Sequence, residues 1–296
     1  MSSTAGLSVD SLSPARYFFG DESRPKKIST RERSLLKHSV EHCEESDAAK
    51  ASFLPIPTDT TFFHLTHWKA GSQWLRAILK ELYGPATVAP ENFEAQLLSR
   101  PILSGKIYLC AYLSKQEFDS LPMPGRCRRI VLIRDLRDTL ISAYFSIRYS
   151  HMVDNPLVEK WRTVLSRLNE EDGVMYLLEL WLPLCGNIQR SWLKSGERVF
   201  HLEDCMADVS GTLEEMHKSV WGLPVERQRL EDVINKHSFE RLSGGREPGE
   251  EDAKSHYRKG VHGDWRNHFT SAITCRFKAL YADLLVMGGY ENDADW

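Results

Sequence analysis

Residues Thr60 to Tyr83 read TTFFHLTHW, then KAGSQ, then WLRAILKELY. The first piece is a run of aromatic and β-branched residues, the pattern of a buried strand. The last piece places Trp74, Leu75, Ile78, Leu79 and Leu82 at helical spacing on one face. Between them lies a short polar loop with one glycine, Gly71, and one lysine, Lys69. A strand, a tight turn and a helix start offer free backbone N–H groups and the positive end of the helix dipole to an anion. Ser72 is placed to cap that helix and to donate its hydroxyl. An ordinary strand–turn–helix connection has the same pattern, so the loop alone does not decide a function. It is not a Walker A loop, because the chain contains no GxxxxGK followed by Ser or Thr. The lysine instead precedes the glycine by two residues, where it reaches the outer, bridging oxygens of a phosphate ester.

Outward from this unit, strand signals recur. Lys106–Tyr112 (KIYLCAY) predicts a second strand and Arg129–Ile133 (RIVLI) a third, after a turn at Met123-Pro124-Gly125. The third strand runs into Arg134-Asp135 and a helix over Leu136–Ser150. Residues 85–104 read as irregular or briefly helical. Pro156 to Ser195 reads as mostly helical with a kink at Pro183, Arg198–Glu203 (RVFHLE) as a fourth strand, and Thr270–Met287 as a final amphipathic helix. Strands alternating with helices predict βαβ units, a parallel sheet and an α/β fold. Residues 1–50 are polar and weakly periodic, and are expected to form a partly flexible arm with one helix near Thr30–Glu45. Residues 51–296 are expected to form a single domain.

Composition narrows the function. The 296 residues carry 42% hydrophobic and 10% aromatic content and a net charge of −3. No overall field draws such a chain to nucleic acid or to a membrane. No apolar run reaches the roughly 18–20 residues of a membrane span. The N-terminus lacks the basic–apolar–small order of a signal peptide. The six cysteines (43, 110, 127, 185, 205, 275) are scattered without a CxxC pair. That spacing predicts free thiols, a cytoplasmic protein and no zinc site.

Two further stretches carry chemistry. In RDLRDTLISAYFS, Arg134 stands at the carboxyl edge of the third strand, where open α/β sheets bind ligands. Ser142 follows two helical turns later, and a guanidinium fork plus a hydroxyl grips a phosphate. An Arg134–Asp138 salt bridge at the helix start is the plain alternative. Tyr257 to Trp265 reads YRKGVHGDW. Arg258 and Lys259 before Gly260 form a small anion grip, with the glycine admitting close backbone approach.

Taken together, these stretches resemble the sulfotransferases that use 3′-phosphoadenosine 5′-phosphosulfate, PAPS. Lys69-Ala70-Gly71-Ser72-Gln73-Trp74 resembles the family's 5′-phosphosulfate loop, KxGTTW. Arg134 with Ser142 eight residues on resembles its 3′-phosphate motif. RKGVHGDW resembles its signature RKGxxGDW, and His237-Ser238-Phe239 its TSF-like segment against adenine. The resemblance spans residues 60 to 270. It implies a three-layer P-loop-kinase-like fold, with a central parallel sheet between helices, and transfer of a sulfuryl group from PAPS to a hydroxyl or amine of a small-molecule acceptor, releasing PAP. It implies that Lys69 holds the bridging and 5′-phosphate oxygens. Backbone N–H groups of Ala70, Gly71, Ser72, Gln73 and Trp74 would cradle the 5′-phosphate, Trp74 and Phe239 would face adenine, and Arg134, Ser142, Arg258, Lys259 and the Gly260 N–H would bind the 3′-phosphate. A lysine plus dipoles then stands in for the Mg²⁺ of kinases, and no metal is expected.

The sequence departs from that pattern at three places. Gln73 replaces the loop's second threonine. The family's histidine at the end of the second strand is absent; counting back from Arg134 puts Tyr112 at or next to its position. A tyrosine titrates near pH 10, so Tyr112, Glu117 and His151 are all candidates for the general base, with His64 and His67 beside the loop as outside candidates. The family's C-terminal dimer motif would fall at Arg266–Cys275, where RNHFTSAITC keeps Thr270 alone, which leaves the oligomeric state open. Tyr144, Phe145, Tyr149, Trp161, Tyr176 and Trp181 suggest a small, partly apolar or cationic acceptor. Two readings of other classes compete: a PAP-binding protein without catalysis, and a nucleotide-kinase-like enzyme lacking its Walker A loop.

Overall fold

The computed structural model describes residues 53–88, 100–152 and 156–296. The N-terminal arm and the helix expected at Thr30–Glu45 lie outside those residues. The stretch that opened the reading forms β1 (Thr60–Thr66) and α1 (Ser72–Tyr83). Every residue of β1 is buried, which is why its pattern is a continuous apolar run rather than an alternation. Five parallel strands make one sheet in the order β2–β3–β1–β4–β5, with β2 at Thr87–Val88, β3 at Ile107–Ala111, β4 at Arg126–Ile133 and β5 at Phe200–His201. β1 therefore lies at the centre, with β3 on one side of it and β4 on the other. That reversal opens a crevice beyond the carboxyl end of β1, the usual ligand position in such sheets. Lys69 stands there.

Helices flank the sheet. α1, the β strands and the segment from Cys205 to Val233 share one apolar core. A second core joins α3 (Leu136–Phe145) to α5 (Glu170–Leu180), α6 (Leu182–Lys194) and α11 (Ser271–Met287). The short α2 (Lys115–Asp119) follows β3, and α4 (Pro156–Leu165) precedes α5. Beyond β5 come α7 (Leu202–Ala207), α8 (Val209–Glu215), α9 (Arg227–Lys236) and α10 (Phe239–Ser243).

Four local expectations change. Residues 85–104 contribute a two-residue strand, β2, too short to leave a periodic signal. The fourth strand shrinks to Phe200–His201, because Leu202 already begins α7. Pro183 does not kink one helix but sits in the first turn of α6, where its missing N–H costs nothing, and Trp181 caps both neighbours. The helix predicted to Ser150 is regular only to Phe145, then widens into a π-turn over Ser146–Ser150. Such turns re-aim side chains, and this one brings Ser146, Ser150 and His151 to the crevice.

Candidate active site

The crevice beyond β1 is a cavity of about 360 Å³. Its floor is the Lys69–Gln73 loop. Lys69 (φ 64°) and Gly71 (φ 75°) are both left-handed. For a lysine this backbone is strained, and such strain concentrates at functional sites. Gly71, rather than Ser72, occupies the N-cap of α1, and no side chain caps the helix. The first N–H groups of α1 are thus left for a ligand. A side chain at Gly71 would meet the Leu202 Cδ1 methyl at 2.6 Å, a flexible neighbour, so it is the left-handed backbone that calls for the glycine.

Arg134 supports this turn. Its Nη1 donates to the Lys69 carbonyl at 3.0 Å, and its backbone N–H donates to His67 Nε2 at 3.3 Å. The alternative Arg134–Asp138 salt bridge does not form. Instead the buried Asp138 carboxylate accepts from the N–H groups of Gly263 (2.6 Å) and Trp265 (3.1 Å). Asp138 therefore ties α3 to the RKGVHGDW segment. The cations of that segment are held by Asp264: Arg258 Nη2 donates to Oδ2, and Lys259 Nζ to Oδ1 at 2.6 Å. Arg258 also lies 4.4 Å over the Phe145 ring and donates to Glu251 at 2.6 Å. Burial pushes the Asp264 carboxyl up, but hydrogen bonds from Lys259, Arg258 and Asn267 outweigh it and hold the group well below the usual carboxylate range. Gly260 (φ 68°) packs so closely on Phe239 that a Cβ would come within 2.5 Å of its ring. Ser238 caps α10 and so sets the entry of Phe239.

Positive charge converges on the cavity. Burial, with the cations of Arg134 and Arg258, lowers the Lys69 pKa to about 8. Such a lysine gains from any anion that enters.

Lys69, Gly71, Ser72, Gln73, Trp74, Arg134, Ser142, Phe239, Arg258, Lys259 and Gly260 all line this one cavity, as do Tyr112 and His151. Ala70 is fully buried and does not line it. Glu117 does not line it either: it closes a capping box at the start of α2, accepting from the Ser114 N–H (2.8 Å) and Oγ (2.7 Å). His64 is buried in β1 with its pKa lowered to about 3 by burial, and His67 is buried with its Nδ1 on the Trp68 carbonyl at 2.9 Å. Both serve the fold. His151 stands at the cavity with Nδ1 on the Met152 carbonyl at 3.0 Å. Tyr112 is buried; its hydroxyl donates to Ser72 Oγ at 3.0 Å, and its ring stacks on Trp68 at 4.8 Å. Burial raises its pKa above the ordinary tyrosine value, the wrong direction for a base.

His256 carried no sequence expectation. It stands at the cavity wall, two positions before Arg258. Desolvation, Lys69 and His151 lower its pKa to about 4. Its only signal in the sequence was adjacency to RKG, inside a stretch read as a loop. The aromatics expected around the acceptor are mostly core: of that set only Phe145 lines the cavity, joined by Trp68, Leu202, Met206 and Leu242. Tyr144 and Trp181 are buried. Thr270 serves as the N-cap of α11, accepting from the Ile273 N–H at 3.3 Å, which accounts for its presence without an interface.

Comparison with known proteins identifies the family. A family model described as "Sulfotransferase domain" matches residues 59–289. A flavonol sulfotransferase-like protein of Flaveria bidentis is 25% identical over 266 residues, covering 76% of this chain and 81% of the relative. Cytosolic sulfotransferase 3 of Arabidopsis thaliana is 25% identical over 254 residues, covering 77% and 78%. Among solved structures, mouse sulfotransferase SULT7A1 complexed with PAP superposes with a TM-score of 0.55 at 16% identity, over 80% of this chain and 90% of that one. Retinol dehydratase in complex with androsterone and PAP gives a TM-score of 0.51 at 15% identity, over 78% and 82%. These two share the fold.

Proposed function

The chain belongs to the sulfotransferase domain family, and from that premise we propose that it moves a sulfuryl group from PAPS to a hydroxyl or amine of a small-molecule acceptor and releases PAP. The observation that carries the reading is the convergence of two cationic grips on one cavity: Lys69 on a left-handed turn at an uncapped helix start, and Arg134 with Arg258 and Lys259. Two grips suit a ligand with two separated anionic groups, which PAP and PAPS have and AMP lacks.

The residues fit that ligand. The open N–H groups at the start of α1 and the Ser72 hydroxyl face the 5′-phosphate, and Trp74 and Phe239 offer ring faces to adenine. Arg134, Ser142, Arg258, Lys259 and the Gly260 N–H take the 3′-phosphate. Bound PAPS supplies the activated sulfuryl group. Lys69 neutralises charge that develops on the oxygen it faces, a lysine-plus-dipole device in a desolvated pocket. His151 is the base we assign: it lines the cavity at the end of the π-turn, and its Nδ1 is held on the Met152 carbonyl at 3.0 Å. The walls given by Trp68, Phe145, Met206 and Leu242 suit a small, partly apolar acceptor.

The test is transfer from labelled PAPS to a panel of phenols, alcohols and amines. Lys69→Met is expected to abolish transfer while PAP still binds; retained turnover would remove the role assigned to Lys69. His151→Asn is expected to lower turnover by roughly 10²–10⁴-fold. Unchanged turnover there would move the base elsewhere in the cavity.

A further inference from the structure

Ser72 is held by β3 and by the residue that follows it. Cys110 Sγ donates to the Ser72 carbonyl at 3.4 Å, and the Tyr112 hydroxyl donates to Ser72 Oγ at 3.0 Å. β3 is irregular at Cys110, just before Tyr112. Between the pairs Phe63–Tyr108 and Leu65–Ala111 the register shifts, so two steps along β1 face three along β3. Within that extra step Cys110 adopts φ 53°, a left-handed backbone in a buried strand. Bulges of this kind re-aim side chains beside active sites. Here the result is a buried tyrosine, stacked on Trp68 with ring planes 16° apart, whose hydroxyl ends on the loop serine.

The direction of that hydrogen bond has a consequence. In that bond the Tyr112 hydroxyl is the donor and Ser72 Oγ the acceptor. A serine hydroxyl that accepts on one side must send its own proton elsewhere. Ser72 is itself buried, and its open side is the cavity. We propose that Tyr112 is a positioning residue: it fixes the Ser72 hydroxyl as an oriented donor to the 5′-phosphate of the bound nucleotide. The tyrosine acts through Ser72 and takes no proton from the acceptor. This assignment rests on the PAPS-dependent reading above.

The experiment is calorimetric titration with PAP and with adenosine 3′-phosphate, which lacks the 5′-phosphate. Tyr112→Phe keeps the ring and the Trp68 stack and removes only the donor. It is expected to weaken PAP about tenfold, the worth of one oriented hydrogen bond, and adenosine 3′-phosphate by less than about twofold. Ser72→Ala should show the same split. The double variant should bind PAP within about twofold of Ser72→Ala alone, because the tyrosine has nothing left to orient. The pH profile of kcat/KM for PAPS should fall in Tyr112→Phe without either limb moving. Equal weakening of both nucleotides in either single variant, or losses that multiply in the double variant, would overturn the proposal. A lost limb in the pH profile would overturn it too, by making Tyr112 the base. If the parent protein itself binds PAP no better than adenosine 3′-phosphate, the functional reading fails, and it fails before any variant is made.

Discussion

Replacing Asp138 by alanine removes one carboxylate and leaves two backbone N–H groups, those of Gly263 and Trp265, without a partner. Asp138 is 3% exposed and Trp265 is 9% exposed, so water is poorly placed to replace the lost acceptor. Hydrogen bonds to a charged acceptor contribute about 1.5–3 kcal/mol each, and an orphaned buried donor costs about 1–3 kcal/mol. Taking one of the two N–H groups as fully stranded and the other as partly hydrated, the change costs about 3 kcal/mol. For a domain of this size that lowers Tm by roughly 6–12 °C. The same carboxylate positions the turn that carries Arg258 and Lys259, so PAP affinity should fall beyond the stability loss. AMP, which has no 3′-phosphate for those cations to meet, should be affected less. Thermal melting gives the first number and titration calorimetry the second. The competing arrangement, an Arg134–Asp138 ion pair, predicts the reverse: alanine would release Arg134, cost little stability and tighten anion binding. An unchanged Tm with tighter PAP binding would refute the reasoning from Asp138 onward.

Two more outcomes follow from the electrostatics. Lys69 has a pKa lowered to about 8 in the free protein, against about 10.4 for an unperturbed lysine. PAP must meet it charged, so affinity should hold below pH about 8 and weaken above it, with proton uptake on binding in that range. Calorimetry in buffers of different ionisation enthalpy reads this, and a flat profile between pH about 7 and about 10, or an identical one in Lys69→Met, would contradict it. By the same linkage, the unfolded chain binds more protons between those pKa values, so this group's contribution favours folding increasingly as pH rises through that window. Glu251 sits on Arg258 at 2.6 Å and within 3.6 Å of Lys259, where an incoming phosphate competes with it. Glu251→Gln should tighten PAP by a few-fold, as expected for a partly exposed ion pair of about 1 kcal/mol, and leave AMP unchanged. Weaker PAP binding would mean that Glu251 supports the grip instead.

Much of this site was written locally. Lys69 and Gly71 fall within one turn, and Arg258, Lys259 and Gly260 are neighbours, so short-range patterning exposes them. Their meeting in one cavity follows from strand order: Arg134 ends β4, and β4 pairs directly with the central β1. What was not legible depends on contacts between distant residues. The Tyr112–Ser72 bond spans 40 positions and the Asp138–Gly263 bond 125, and no periodicity encodes either. Tyr112 was a candidate base by its position alone; its packing makes it a donor. Glu117 looked available because a carboxylate in a turn carries no mark of being a helix cap until Ser114 is seen folded onto it. β2 and β5 have two residues each, held as strands only by their neighbours. The aromatics of residues 144–181 drew the acceptor pocket toward a region that is mostly core.

The central claim is that two grips act on one doubly phosphorylated nucleotide. Calorimetric titration with PAP and with AMP, on the parent protein and on Arg258→Ala, tests it most directly. PAP is expected to bind at least about 100-fold tighter than AMP, since charge-assisted contacts to the 3′-phosphate contribute about 3 kcal/mol or more. Most of that preference should vanish in Arg258→Ala. Equal affinity for PAP and AMP in the parent protein would contradict the account and bring the nucleotide-kinase reading forward.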